Sequence, residues 1–268
     1  MLGLLAANRR VPASRAGFLR YRCNICDQGC ETRVTELARE EPSCPRCGST
    51  VRARSVIRVL SMELLGASLP LSEFPMKPDI RGIGLSDWER YAVPLARKLN
   101  YTNTYYHAEP RFDILSDLEP ELEGTLDFLL ASDVFEHLAP PVSRAFANCR
   151  RLLKSSGVLV FTTPYTKDGL TTEYYPELDS YEIIEVDGQH ILKNVTRDGR
   201  EQTFKDLIFH GGEGATVEMR LFSAASLREE FRQAGFGQIK MYSDPDFEHG
   251  IYWNPDWSGG SFPISARK

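Results

Sequence analysis

Residues 126–138 read LDFLLASDVFEHL. The apolar run Leu126, Phe128, Leu129, Leu130 and Ala131 has the length of a buried strand and stops at Ser132 and Asp133, with Glu136 and His137 following within one turn. A core strand that ends in a knot of ionisable groups reads as a strand whose carboxyl end opens into a ligand crevice. The plainer alternative is a strand meeting a capped helix, with Glu136 a first-turn acid favoured by the helix dipole.

The neighbouring segments repeat the pattern. Val142, Ala145, Phe146, Cys149, Leu152 and Leu153 share one face of a helix expected over 141–153, with Gly157 as its stop and VLVFTT (158–163) as the next strand. Upstream, Ile80, Ile83 and Leu85 mark a short strand that ends in Gly82 and Gly84, and Ser86 with Glu89 has capping-box spacing for a following helix that Pro94 ends or kinks. TNTYYH (102–107) reads as a second strand, with Glu109 and Asp113 behind it. Unbroken apolar strands alternating with helices indicate an open, mostly parallel α/β sheet covered on both faces.

The first third of the chain differs. Cys23 and Cys26 form one C-x₂-C pair and Cys44 and Cys47 a second, separated by 17 residues. Two tight turns that aim four thiolates at one point suit a closed tetrahedral zinc site of structural type. Cys30 breaks the pairing and reads as a spare small residue; Cys149 reads as a buried core thiol. Residues 1–50 are therefore expected to form a zinc-binding module. Residues 51–78 follow as a connecting helix, VRARSVIRVLSMELL, and a proline-rich linker, and residues 79–268 as the main domain.

Charge is divided along the same line. The whole chain of 268 residues carries −5, yet residues 1–58 hold 11 Arg, no Lys and 5 acidic residues, a local excess of +6. Such a start suits contact with nucleic acid, or an arginine-rich surface docked on acidic groups. At 42% hydrophobic and 26% charged the composition is that of a globular protein, and no segment offers 18 consecutive apolar residues, so no membrane span is expected. MLGLLAA is too short for a signal sequence and its arginines follow the apolar run instead of preceding it, so a cytoplasmic location is expected.

Between 165 and 220 the strand–helix rhythm breaks. DG pairs between β-rich runs predict antiparallel hairpins, and FHGGEG (209–214) reads as a glycine-rich loop able to fold over a site as a lid. The α/β pattern then resumes: Ser223 caps a helix closed by Gly235, GQIKMYS (237–243) is strand-like, and the chain ends in SFPISARK.

Taken together, the strand with Gly82 and Gly84, the acids after the second strand, DFLLASDVFEH and LLKSSGVLV resemble the class I S-adenosylmethionine-dependent methyltransferases. The resemblance spans roughly residues 78–164, and 222–268 by topology, with Leu85-Ser86 where that family has its customary third glycine. It implies a Rossmann-like sheet, mostly parallel with the last strand antiparallel, carrying a small N-terminal zinc module and a β-rich insertion at 165–220. It also implies S-adenosylmethionine as cofactor. Gly82 and Gly84 would let the backbone approach its aminoacid tail, Glu109 would accept the ribose hydroxyls and Asp113 the adenine amine, with Asp113 or Asp117 as alternatives for the ribose. Asp133 would lie beside the cofactor.

A hydroxyl acceptor gains from a base of near-neutral pKa, for which His137 and His210 are the candidates; His190, beside a DG turn, reads as a strand-surface residue, and His107 and His249 have no partner in the pattern. The expected activity is methyl transfer to a small molecule or glycan, such as a sugar, sugar-nucleotide or secondary metabolite, with O-methylation favoured. Two alternatives stand beside it: an RNA methyltransferase whose zinc module grips nucleic acid, and a non-enzymatic zinc-ribbon interaction protein with a degenerate methyltransferase body. The sequence leaves the oligomeric state and the acceptor atom open.

Overall fold

The computed structural model describes residues 17–210, 216–253 and 261–268. The chain divides into two compact units, one of Met1–Pro75 with Ser243–Trp257, the other of Met76–Tyr242 with Ser258–Lys268.

In the first unit, β1 (Phe18–Arg22) and β2 (Gly29–Arg33) form an antiparallel hairpin. Helix α1 (Val51–Leu65) starts where the Thr50 hydroxyl accepts from the Ala53 amide, and stops at Gly66, whose φ of 75° is the left-handed C-cap glycine tolerates. The later segment 243–257 contributes Asp246 and His249. The Asp246 carboxylate accepts from the Ser68 hydroxyl at 2.6 Å and from His249 Nδ1 at 3.0 Å, with the Arg58 guanidinium 3.5 Å away. Burial opposes its ionisation, but those hydrogen bonds and the Arg58 charge prevail and hold the carboxyl down to about 2. A depressed carboxylate stabilises the fold fully above the ordinary aspartate range and loses that contribution as pH falls from about 4 towards about 2. Asp246→Asn is therefore expected to cost about 2 kcal/mol at neutral pH. The gap from wild type should close on acidification; urea unfolding of both proteins across pH checks it, and a gap unchanged at low pH excludes the linkage.

The second unit is built on a six-stranded sheet. Its strands are β3 (Lys77–Leu85), β4 (Leu99–Thr104), β5 (Leu126–Ser132), β6 (Leu153–Thr162) and two later ones, with helices α2 (Glu89–Ala96) and α3 (Ser143–Leu152) between the first four. Strand β3 pairs in parallel with β4 and β5, and β5 in parallel with β6. Phe128, Leu129 and Leu130 are fully buried, which accounts for the unbroken apolar run: both faces of β5 are covered.

After β6 the insertion begins with the short strands β7 (Tyr165–Thr166) and β8 (Thr172–Glu173). It continues with β9 (Ser180–Val186), β10 (Gln189–Val195) and β11 (Glu201–Phe204), an antiparallel sheet of its own. Asp187 and Gly188, both at positive φ, form the two-residue turn between β9 and β10, as the DG pair predicts. Short β12 (Phe209–His210) and β13 (Thr216–Val217) pair, and β14 (Arg220–Ser223) is flanked by β7 and β8. Helix α4 (Ala224–Gln233), capped by the Ser223 side chain as predicted, leads to β15 (Gln238–Met241). Strand β16 (Ile264–Arg267) lies antiparallel between β6 and β15, giving the order β15-β16-β6-β5-β3-β4. This is the Rossmann-like sheet with one antiparallel strand. A cluster of Phe135, Phe146, Phe161 and Phe231, with edge-to-face contacts of 4.8–5.4 Å, forms the centre of the core on the α3–α4 face.

Three local expectations are corrected. The capping box at Ser86 does not form: α2 begins at Glu89 with Trp88 before it, because Ser86 turns to a φ of 54° and Asp87 is drawn inward to accept from the Tyr91 and Tyr101 hydroxyls. The second strand starts at Leu99 and ends at Thr104, since the buried positions Leu99, Tyr101 and Thr104 set its run. Gly157 ends no helix. It lies inside β6, where a Cβ would come within 2.9 Å of the Leu126 carbonyl oxygen.

Candidate active site and cysteine cluster

A cavity of about 650 Å³ opens at the carboxyl ends of β3, β4 and β5. Leu85 and Ser86 from β3, Thr104 and Tyr105 from β4, and Asp133 and Val134 after β5 form one side, with Phe112, Asp113, Ile114 and Leu115 from the loop beyond β4. Ser86 and Asp133 both sit at positive φ, 54° and 52°. Two non-glycine residues in the left-handed region, at adjacent strand ends and lining one cavity, are the backbone strain that tends to collect at working sites. Asp133 is pinned in that conformation: its amide donates to the Thr162 carbonyl and its Oδ1 accepts from the Thr162 hydroxyl at 2.8 Å.

The other wall comes from the turn after β5 and from the insertion: His137, Leu138 and Ala139 face Tyr181, Ile183, His210, Thr216, Val217 and Met219. The returning chain holds this turn tightly. Arg220, fully buried, donates to the carbonyls of Phe135 and Leu138, both at 2.7 Å, and pairs with Glu173. The Met219 amide donates to the Glu136 carbonyl, and His137 Nδ1 donates to the Val217 carbonyl at 2.8 Å. A carbonyl only accepts, so that bond fixes the His137 tautomer and leaves Nε2 with its lone pair. Burial lowers the His137 pKa below the ordinary imidazole value, against the pull of the Val217 carbonyl. The two imidazole rings stand 5.3 Å apart, edge to face.

The residues singled out from the sequence fall into two groups. Asp113, Asp133, His137 and His210 line this one cavity. Gly82, Gly84 and Glu109 do not: a Cβ on Gly82 would meet the Phe128 ring at 2.3 Å, and one on Gly84 the Tyr101 hydroxyl at 2.0 Å and Asp87 at 2.1 Å. The close approaches at both glycines are thus to side chains of the sheet itself. Glu109 is exposed and accepts from the Arg111 amide. Asp113 also closes its own loop, accepting from the Leu115 amide and the Ser116 hydroxyl. Gly211, Gly212 and Gly214, the expected lid glycines, lie outside the described residues. Ser86, Tyr105 and Thr216 line the cavity as well; Ser86 stands at the place of the third loop glycine, whereas no spacing in the sequence marks Tyr105 or Thr216.

Residues 87–161 match the model of a methyltransferase domain family. The chain carries a methyltransferase domain. That domain, running from α2 through most of β6, makes the protein an enzyme of the methyltransferase class. No curated protein matches the sequence. Among solved structures, the chain is similar to a 1,6-didemethyltoxoflavin N1-methyltransferase of Burkholderia thailandensis, at 15% identity over 81% of this chain and 77% of that one, with a TM-score of 0.42. It is also similar to a sugar N-methyltransferase of Streptoalloteichus (14%, 81% and 87%, 0.43) and an amino pentose methyltransferase of Micromonospora echinaspora (12%, 82% and 93%, 0.42). At these values the likenesses carry no argument about substrate.

The methyltransferase fold implies S-adenosylmethionine as methyl donor, and the cavity fits it. Asp113 and Asp133 supply acceptors for ribose hydroxyls and amines, and Phe112, Ile114, Leu115 and Val134 supply an apolar slot for a base.

In the first unit the four cysteines converge. Cys23 and Cys47 sulfurs are 3.7 Å apart, Cys26 and Cys44 3.6 Å, and all four lie within 4.8 Å of one another. None is in a disulfide. The Cys47 thiol, pointing at Cys23, is the main cause that holds Cys23 down to about 4; burial pushes Cys26 up to about 11. A divalent cation is what such a cluster could hold with all four ionised. Cys30 stays outside the four, donating towards the Gln28 carbonyl and the Cys44 sulfur. Fully buried Arg54 donates to the carbonyls of Ser49 and Gly250 and to the hydroxyls of Ser49 and Ser43, and the Ser49 hydroxyl in turn lies 3.3 Å from the Cys23 sulfur.

No helix of the described residues is long and apolar enough to cross a membrane.

Proposed function

We propose that this chain transfers the methyl group of S-adenosylmethionine to a small-molecule or glycan acceptor, O-methylation favoured, and that Cys23, Cys26, Cys44 and Cys47 hold a structural zinc. One observation carries the first part: Asp113, Asp133, His137 and His210 line a single cavity at the carboxyl edge of the sheet. When bound, the cofactor supplies an electrophilic methyl on a sulfonium. The chain's own share is placement. Asp133 and Asp113 would hold the donor, while the cavity wall formed by the insertion would orient the acceptor and keep water away from it. The proton of an acceptor hydroxyl would be handled at the His137–His210 wall.

The arginine excess of the first 58 residues favours the nucleic-acid alternative, but the pairing of several of those arginines supports the small-molecule reading over it. Arg20 pairs with Glu31, Arg22 with Asp27 and Glu73, Arg52 with Glu40 and Arg58 with Asp246. Among the described residues, these four guanidinium groups are engaged by carboxylates of the chain itself instead of being held out towards phosphates.

Calorimetric titration with S-adenosylhomocysteine tests the donor site. Wild type should bind one equivalent. Asp133→Asn, which keeps a side chain tolerant of positive φ, should bind about tenfold more weakly through loss of a charged hydrogen bond. Equal affinity in the two proteins removes Asp133 from the donor site, and no binding to wild type overturns the reading.

A further inference from the structure

We propose that Glu136, His137 and His210 form a divalent transition-metal site in the cavity wall. The three ligand atoms lie within 4.8 Å of one another, Glu136 Oε1 standing 3.8 Å from His137 Nε2 and 3.9 Å from His210 Nδ1. Both separations exceed a hydrogen bond. They exceed by about half an ångström the roughly 3.4 Å that ligands about 2.1 Å from a tetrahedral ion take up, and by about 1 Å the spacing around an octahedral one, so side-chain rotation of that order would close the site.

The chemistry of the set favours a cation. Glu136 is 1% exposed although it is a carboxylate, and the Thr163 hydroxyl donates to its Oε2 at 2.8 Å, which aims Oε1 at the two rings. A carboxylate in so dry a place is costly unless positive charge compensates it. His137 is already prepared as a ligand: its Nδ1 is committed to the Val217 carbonyl, so the Nε2 lone pair faces the cluster, the outer-shell arrangement of metal-bound histidines. His210 Nδ1 is buried with no hydrogen-bond partner among the described residues and lies between Glu136 and Glu218, the latter at 3.6 Å. Two imidazoles and one carboxylate on one side of an ion suit zinc, manganese, iron or cobalt, and are a poor match for magnesium or calcium. The turn that carries Glu136 and His137 is clamped by Arg220, so the ligands stand on a rigid support.

Because both histidines line the cavity, the remaining coordination positions would face its interior. That points to an acceptor with two neighbouring oxygens, such as a vicinal diol or a hydroxy-ketone, whose hydroxyl an ion would acidify. The acceptor class rests on the methyltransferase reading; the binding of an ion does not.

The test uses metal alone. Full-length protein carrying one equivalent of zinc at the cysteines is titrated with Co²⁺ and followed by absorption. The expected result is one further equivalent bound, giving cobalt ligand-field bands without thiolate charge transfer. Acetohydroxamate, a bidentate oxygen ligand, should shift those bands. His210→Ala and Glu136→Gln should each weaken Co²⁺ binding at least tenfold, while circular dichroism and S-adenosylhomocysteine affinity stay as in wild type. No ligand-field bands up to about a millimolar Co²⁺, bands only of the thiolate type, or equal binding by wild type and variants would overturn the site. A failure of S-adenosylhomocysteine to bind wild type, with cobalt bound as described, would sink the donor reading and leave the metal site standing.

Discussion

Replacing Cys44 with serine is expected to cost the N-terminal unit its metal and most of its stability together. The hairpin β1–β2 and the turns around it are small, and a segment of that size seldom buries enough apolar surface to fold unaided. Structural zinc supplies apparent binding energies of roughly 10 kcal/mol or more in small domains, all of it folding energy. Metal analysis of wild type should give one zinc per chain; Cys44→Ser should retain less than half an equivalent and lose its thermal transition for this unit. Cys30→Ser is the control. Cys30 only donates towards Cys44 and Gln28, so the variant should keep its zinc. Full zinc retention by Cys44→Ser would refute the assignment, as would the loss of zinc from Cys30→Ser.

The second large effect concerns turnover. His210→Ala should lower the rate on the true acceptor by about 10² to 10⁴, the usual consequence of losing the means of removing the acceptor's proton, whether His210 takes it directly or holds an ion that acidifies the hydroxyl. Cofactor affinity should change little, because His210 belongs to the insertion, whereas Asp113 and Asp133, proposed to hold the donor, follow strands of the central sheet. His190→Ala should have little effect: the ring touches Phe209 and does not line the cavity. Single-turnover measurements on the three proteins check this. Wild-type turnover in His210→Ala would mean that the acceptor is served by orientation alone.

How far these sites could be read from the sequence depended on whether the signal was local. The β5 run was plain because both faces of the strand are buried, so every position had to be apolar. The DG turn was plain because only a few residue pairs accept positive φ twice in succession. The cysteine pairs were plain because knuckle chemistry fixes their spacing. What stayed hidden was set by partners far along the chain. Asp87 is pulled inward by Tyr101, which removes the capping box that Ser86 and Glu89 spell out. Glu136 has the appearance of a first-turn surface acid until the insertion brings Met219, Val217 and His210 over it. Gly82 and Gly84 suited a ligand, yet the side chains that need their space are Phe128, Tyr101 and Asp87.

The placement of residues 243–257 within the first unit bears on the order of events at the ribosome. Arg54 donates to the carbonyl of Gly250, and Arg58 faces Asp246, so groups of α1 have partners almost 200 residues downstream. Domains emerging from the ribosome commonly fold in order of synthesis. Here the first unit to appear cannot be completed until residues 243–257 have followed the main span of the second. Until residues 243–257 are released, a nascent chain with its cysteines already gathered would still hold a guanidinium in search of its carbonyl, and this waiting intermediate is where chaperones and metal supply would have most influence on yield.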